Sequence, residues 1–355
     1  MRALSGDHVE EAVAGCVAAL RPAVQRDWAA VKAGGLDWNC HDTALHIATA
    51  LMRYTGNLAG RAQDASTPFH ITLDDGTDNT GLLHVIETAG AVLAAVVRTA
   101  PATARGFHPF PFNSANRDGF AAMGVTEVLL HTYDATQGLN VAYEPPAHLA
   151  EFALTSIFPA VQPTTDPWRT LLWATGRGEL PGRPRVTEWH WSNNLVIPGD
   201  RLTLQGVTPA AARDLTAGGD GGFEWIEGSA FQGTRDAAGF MLKAYEAGTH
   251  RPEFGVFVLV RREDGRAVGG MGFHRSPDEN GRVEIGYDLV ESARGNGYAT
   301  EALRALSEWA LARDDVHTLC ATIDPDNAPS QAVVSRAGWQ KVGESDEGFT
   351  YELKR

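Results

Sequence analysis

Lysine is scarce in this chain. Of its 30 basic residues only 4 are Lys, and they face 44 acidic ones, giving a net charge of −14. The shortage of positive charge runs through both halves, with 13 basic and 19 acidic groups in residues 1–197 and 17 and 25 in residues 198–355. Neither half has the electrostatic footprint of a nucleic-acid binder, and none is expected as a partner. Cysteine is rare too: Cys16, Cys40 and Cys320 form no C-x-x-C pair, which excludes a disulfide framework and a cysteine zinc site. No stretch comes near the roughly 18 uninterrupted apolar residues of a membrane span. The N-terminus has no basic segment leading into an apolar one, so a cytoplasmic protein without a signal peptide or membrane partner is expected. Internal repeats and low-complexity tracts are absent. What remains is ordinary globular composition, 43% apolar and 21% charged over 355 residues, enough for two cores.

The two halves differ in period. Val9, Val13, Cys16, Leu20, Val24, Trp28 and Val31 recur every three or four residues, predicting a helix over His8–Ala33 that Pro22 kinks or splits. Further helices are expected over Asp42–Leu58, with Asn39 or Asp42 as N-cap, and over Leu82–Thr99, Gly119–Asp134, Ala147–Ala160 and Trp168–Gly176. Segments 72–80 and 101–117 read as turns. The four long helices suggest an up-down bundle. A stretch rich in Pro, Gly and Trp, Gly176–Pro198, then separates residues 1–195 from 198–355. Beyond it, strands over Arg201–Leu204, Gly255–Arg261, Ala267–Phe273, Arg282–Val290, His317–Ile323 and Phe349–Leu353 are interspersed with helices over Pro209–Thr216, Arg235–Ala247, Gly297–Arg313 and Ala328–Ala337. That alternation indicates an α/β layer fold.

The sharpest local signal joins the fourth of those strands to an amphipathic helix. It reads Ala293-Arg294-Gly295-Asn296-Gly297-Tyr298-Ala299. Glycines let backbone N–H groups approach a ligand, and the helix N-terminus adds a positive dipole end. Together with Arg294 they could hold pyrophosphate oxygens. On the glycines alone, a turn with no ligand fits as well.

The surroundings favour the ligand. Residues 200–355 resemble the GNAT acetyltransferases, most closely the RimJ/RimL-like branch. Arg294, Gly297 and Ala299 match that family's Arg/Gln-x-x-Gly-x-Ala/Gly motif, and Val283-Glu284-Ile285-Gly286-Tyr287 resembles its fourth strand. Asn327 and Ser330 match its Asn-x-x-Ser element, followed by Arg336-Ala337-Gly338-Trp339. The resemblance implies an α/β GNAT fold with a mixed sheet that splays at the fourth strand. It implies acetyl-CoA held by Leu289, Val290, Arg294, Gly295, Asn296, Gly297, Tyr298, Ala299 and Asn327, with Tyr298 mainly a packing residue. Ser330 would be the acid for the departing thiolate, and Glu284 the base, acting directly or through water. A tyrosine that other branches carry in the last helix is absent, with Val334 and Ser335 in that region. His274, closing the third strand, is a lesser candidate for a substrate role.

In the first half, Glu127 and His131 stand four apart on a mostly apolar helix, and His46 lies on another helix among Leu45, Ile47 and Ala48. A carboxylate and two imidazoles on facing helices could hold a divalent metal with open positions. A Glu–His pair beside a satisfied core histidine fits the same spacing. Residues 1–190 also resemble the N-terminal, DinB-like bundle of mycothiol-dependent maleylpyruvate isomerase. The likeness rests on Trp38, Asp42 and His46, on Glu127-x-x-x-His131 followed by Asp134, and on Leu171-Leu172-Trp173-Ala174-Thr175-Gly176-Arg177. It implies an all-α domain binding zinc or a similar metal through His46, Glu127 and His131. Cys40 and His41 are read as loop residues. The expected function is N-acetyl transfer from acetyl-CoA to an amine of a small molecule or a protein N-terminus. The alternatives are a metal-dependent mycothiol (thiol) transferase or isomerase activity in the bundle, or a bundle that only binds partners or forms a homodimer.

Overall fold

The computed structural model describes residues 5–68, 70–101, 104–109, 114–162, 164–189 and 191–355. Its contacts divide the chain into two compact units, Met1–Asn193 and Asn194–Arg355.

The first unit carries α1 (Ser5–Leu20), α2 (Cys40–Ala59), α3 (Asn79–Thr99), α4 (Arg117–Leu139), α5 (Ala147–Ile157) and α6 (Pro167–Ala174). The helix expected to run to Ala33 stops at Leu20, and one 3-10 turn over Arg21–Ala23 takes its place. Pro22 explains the stop, since its ring clashes with the carbonyl four residues back and it has no N–H to donate. The apolar stripe beyond it is still buried. Trp28 is 1% exposed and its indole N–H donates to the Ala23 carbonyl at 2.9 Å, so the residues are core without being helix. Asn39, not Asp42, caps α2, its Oδ1 accepting from the Asp42 N–H at 2.7 Å. Asp78 and Asn116 cap α3 and α4 in the same way.

The bundle is not a simple up-down series. Both α1 and α2 pack against α3 and α4 rather than chiefly on each other, and residues 21–39 carry the chain across. By length and composition α3 could cross a bilayer; here its apolar side packs against α1 and α2. The unit is also not purely helical. In the segment read as turns, β1 (Arg105–Phe107) pairs antiparallel with β2 (Ser114–Asn116), and residues 102–103 and 110–113 of that segment lie outside the described residues.

The second unit contains β3 (Val196–Pro198), β4 (Leu202–Gly206), α7 (Pro209–Thr216), α8 (Gln232–Glu246), β5 (Val256–Arg261), β6 (Ala267–Phe273), β7 (Arg282–Leu289), α9 (Tyr298–Leu311), β8 (Thr318–Ile323), α10 (Ala328–Arg336), β9 (Gln340–Ser345) and β10 (Gly348–Lys354). The sheet runs β3-β4-β5-β6-β7-β8-β10-β9 and is antiparallel except for β7 with β8, so it is mixed. β9 escaped the sequence reading because it is an edge strand exposed along nearly its whole length, with no apolar alternation. β3 is short and ends in Pro198, which blurs its signal.

β7 alternates between the two faces of the sheet. Asp288 bonds Thr234 of α8, while Tyr287 bonds the Ser330 carbonyl of α10. Thus α8 and α10 lie on opposite faces. The α8 side comes very close at Gly270 of β6, where a Cβ would sit 2.4 Å from Thr234 Oγ1. Replacing Gly270 by Ala should therefore destabilise the unit by about 1–3 kcal/mol. Urea unfolding of Gly270→Ala would show a lowered midpoint, and an unchanged one would mean that α8 lifts away freely.

Candidate functional site

Two groups of side chains stand out, one in each unit. In the first, α2 supplies His46 and α4 supplies Glu127 and His131. Their ligand-type atoms all lie within 4.8 Å of one another, and among the described residues this is the one such group. Glu127 Oε2 is 3.1 Å from His131 Nε2 and 3.4 Å from His46 Nε2, and Glu127 Oε1 accepts from the Tyr54 hydroxyl at 2.9 Å. Burial would raise the Glu127 carboxyl, but hydrogen bonds from His131 and His46 hold it far below the usual carboxylate range. Burial would likewise lower His131, but Asp134 and Glu127 raise it to about 9. Burial and the Glu127 charge push Tyr54 well up.

Behind the group, His131 Nδ1 faces Asp134 Oδ2 at 3.2 Å. Arg177 Nη2 in turn donates to that same oxygen at 2.8 Å. The exposed Trp38 ring packs on His46, with centroids 4.9 Å apart. Cys40 and His41 do not join the group. The Cys40 thiol is buried at the start of α2, where burial pushes it up to about 11, and His41 faces Asp42. Sequence spacing found the three central residues, whereas the link from Asp134 to Arg177, 43 positions away, came only from the fold.

In the second unit, β7 and β8 pair over just three positions, Arg282–Thr318, Val283–Leu319 and Glu284–Cys320, and then part. The chain leaves β7 through a 3-10 turn, Glu291–Ala293, and enters α9. Gly295 and Gly297 have φ of +78° and +80°, a left-handed conformation that glycine adopts without strain. Gly297 is the N-cap of α9 and offers no side chain, so the first N–H groups of that helix have no side-chain cap. Asn296 turns its amide back to the Ala293 and Arg294 carbonyls. Arg294 Nε donates to the Leu289 carbonyl at 3.2 Å and the guanidinium lies over Phe231.

A second cation, Arg201, was missed as a site residue. It donates to the Asn296 carbonyl, pairs with Glu301 and stacks on the Tyr298 ring. No sequence signal links position 201 to a turn 95 residues away. Tyr298 and Ala299 are buried beneath the turn, Tyr298 as the packing residue expected, and Val290 is buried with its N–H on the Val268 carbonyl.

Across the parting, Asn327 caps α10, its Oδ1 accepting from the Ser330 N–H at 3.2 Å. Tyr287 donates to the Ser330 carbonyl at 3.3 Å, and burial raises its phenol while a hydrogen bond with the Ser330 side chain opposes the rise. This tyrosine on β7 was read only as part of the fourth-strand resemblance. It places a phenol beside Ser330, although the last helix has none.

Glu284, Gly286 and Asp288 share the α8 face by register, and Gly286 and Asp288 line a cavity of about 780 Å³ walled by Phe240, Met241 and Phe254. Glu284 Oε2 is 3.3 Å from His274 Nδ1, and that contact, ahead of the opposing effect of burial, lowers its carboxyl. Asp288 accepts from Thr234 N–H at 2.5 Å, Thr234 Oγ1 at 2.6 Å and Gly270 N–H at 3.0 Å, and burial raises it.

With this geometry in place, comparison with known proteins is informative. Residues 201–340 match the acetyltransferase (GNAT) domain. The chain is 38% identical over 86 residues to the uncharacterized N-acetyltransferase YjdG of Bacillus subtilis, covering 24% of this chain and 51% of that one. It is 33% identical over 87 residues to the N-acetyltransferase p20 of Bacillus licheniformis, with 24% and 49% covered. The chain thus spans about half the length of the curated relatives it matches. A solved acetyltransferase from Agrobacterium tumefaciens aligns over 48% of this chain and 100% of its own, at 23% identity and a TM-score of 0.33. Over residues 201–340 the second unit therefore matches an acetyltransferase domain of the GNAT type.

Proposed function

We propose that the second unit transfers an acetyl group from acetyl-CoA to the primary amine of a small molecule or a peptide N-terminus. The observation that carries this reading is the uncapped, glycine-rich entry to α9 lying directly after a strand that has parted from its neighbour. The N–H groups from Gly295 to Ala299 suit a pyrophosphate, with Arg294 and Arg201 supplying charge. The gap between β7 and β8 leaves strand backbone at Leu289 for the pantetheine arm, whereas the Val290 N–H and carbonyl are already bonded to Val268 and Ala293, and Asn327 stands across the parting as the N-cap of α10. Acyl transfer to an amine needs a proton for the departing thiolate and a route for the amine's own proton. Ser330, backed by Tyr287, supplies the first from the α10 face. Glu284 stands on the opposite face, where the amine's proton must leave.

A second reading concerns the first unit, and the geometry of its polar group favours it. We infer a DinB-like bundle that binds one divalent ion, zinc or similar, through His46, Glu127 and His131. Two imidazole nitrogens and a carboxylate oxygen within 4.8 Å fit such an ion, and Asp134 holds the far nitrogen of His131 as an orienting partner. When bound, a dication would lower the pKa of a thiol placed beside it. The chain's own residues bind and orient: Tyr54 secures the second oxygen of Glu127, and Trp38 covers the rings of His46 and His131. A bundle used only for binding or dimerisation is the outcome if no ion is held.

Calorimetry of the full chain should show acetyl-CoA binding, weakened at least about tenfold in Gly297→Val, because a β-branched residue resists the left-handed turn. No binding by the wild type would remove the acetyl-transfer reading.

The metal reading gives opposite pH slopes with and without the ion. In chelator-treated protein His131 has its folded pKa raised from 6.5 to about 9. The stability it contributes is then full below pH 6.5 and is lost as pH rises through 9. Melting temperature should fall over that range, and His131→Gln should flatten the fall. Elemental analysis after dialysis with zinc should find about one ion per chain in the wild type and none in His131→Ala. Loaded protein should not lose stability over the same range, because ligation needs the neutral imidazole. Absence of metal in the wild type would leave the group as a buried ion-pair network.

A further inference from the structure

We propose that His274 is the base that takes the acceptor amine's proton, and that Glu284 is the positioning residue that orients its imidazole; the proposal rests on the acetyl-transfer reading of this same site. The register of β6 and β7 brings the pair together. Past Phe273–Ile285 the ladder continues with the His274 N–H donating to the Glu284 carbonyl at 3.0 Å, so both side chains stand on the cavity face. His274 Nδ1 meets Glu284 Oε2 at 3.3 Å. Glu284 also bonds Thr322, so its carboxylate is engaged on two sides. The ring then lies across Gly286, where a Cβ would come within 2.7 Å of Nε2. Among the described residues Nε2 has no hydrogen-bond partner, and both His274 and Gly286 line the cavity. The arrangement is a carboxylate–imidazole dyad with its outer nitrogen turned to the acceptor space.

The competing groups are less suited. Glu284 is held below the usual carboxylate range, which makes it a weak acceptor for an amine's proton. Asp288 spends its lone pairs on Thr234 and Gly270 and pins α8 to the sheet. Tyr287 points to the α10 face. Asp236, Arg251 and Arg275 also face the cavity, and so does His250, which burial pushes down to about 4 and to which no carboxylate is bonded. The floor beside His274 is bare, because Gly270, Gly272 and Gly286 occupy that face of β6 and β7. Thr234 and the His274 ring cover Gly270 and Gly286, so an amine approaches the ring from the cavity and not along the strands.

The ammonium gives one proton to His274 Nε2, and the freed lone pair forms the C–N bond to the acetyl carbonyl of the thioester. The C–S bond breaks with its electron pair on sulfur. Two protons leave nitrogen in all: one reaches the thiolate and one passes through His274 to solvent.

The test uses the full chain, acetyl-CoA and 2-phenylethylamine, a probe whose apolar body suits the aromatic wall. His274→Gln should lower kcat at least about 100-fold. Its acetyl-CoA Kd by calorimetry should stay within about twofold of wild type. Glu284→Gln should lower kcat about tenfold. In histidine-15N-labelled protein, long-range proton–nitrogen spectra should find the His274 proton on Nδ1 in the wild type and moved toward Nε2 in Glu284→Gln. A His274→Gln enzyme within threefold of wild-type kcat would overturn the assignment, and so would a wild-type tautomer protonated on Nε2. Should the wild type bind acetyl-CoA but leave the probe untouched, the tautomer decides. Should it bind no acetyl-CoA, the acetyl-transfer reading itself fails, and this proposal with it.

Discussion

The second unit depends on a ladder that stops early. β7 and β8 share three residue pairs and then separate, so β7 beyond Glu284 has a hydrogen-bonded neighbour on the β6 side alone. Backbone groups on its other edge would be costly to bury without partners, and the ligand proposed for the gap would supply them. The parting also fixes the turn after β7, because the chain must swing from the strand into α9 within a few residues. Gly295 and Gly297 make that swing possible, and a helix capped by glycine alone keeps its leading N–H groups available. The open gap and the open helix end are thus two results of one strand leaving its neighbour.

The period of two along β7 then sorts the chemistry by face. Tyr287 goes to α10 and Ser330, while Glu284, Gly286 and Asp288 go to the α8 face. A reaction that removes a proton from one reactant and delivers a proton to the other gains from having those groups on opposite sides of one rigid strand, where they cannot neutralise each other. The glycines have a separate reason on the cavity face. Gly270 lies under Thr234, and Gly286 under the His274 ring, at approaches no Cβ would permit. Side chains there would lift α8 and the imidazole off the sheet, so the same bareness sets the cavity's depth and the ring's position.

Elements with a strong period were legible in the sequence, and so were a turn and a helix cap whose signal is local. The Arg294–Ala299 turn announces itself through two glycines before an amphipathic helix, and Asn327 through its place ahead of Pro329 and Ser330. The helix past Pro22 was misread, because burial of Trp28 imitates a helical stripe without a helix. What sequence could not supply was contact between distant positions. Arg201 reaches Asn296, Arg177 reaches Asp134, and His274 meets Glu284 across a strand pair. Each depends on register, and a shift of one residue would turn either His274 or Glu284 to the other face. His274 had a weak claim as a strand end and gains its place only from the partner that the ladder sets opposite it.

The first unit shows the same dependence of charge on packing. Glu127 is buried on α4, and an isolated carboxylate there would carry a large desolvation penalty. Tyr54, His46 and His131 offset it, and Asp134 with Arg177 extends the chain of alternating charge behind His131. The network is balanced with a proton on each His131 nitrogen, Nε2 facing Glu127 and Nδ1 facing Asp134. A dication occupying the space between the two imidazoles and Glu127 would have to displace the Nε2 proton, leaving the Asp134 side of the ring as the one still bonded to hydrogen. An ion held there, as proposed, would therefore compete with a proton for one nitrogen. The ion-free network stands instead on the His131 charge, which Asp134 and Glu127 hold, and Arg177 in turn keeps Asp134 ionised.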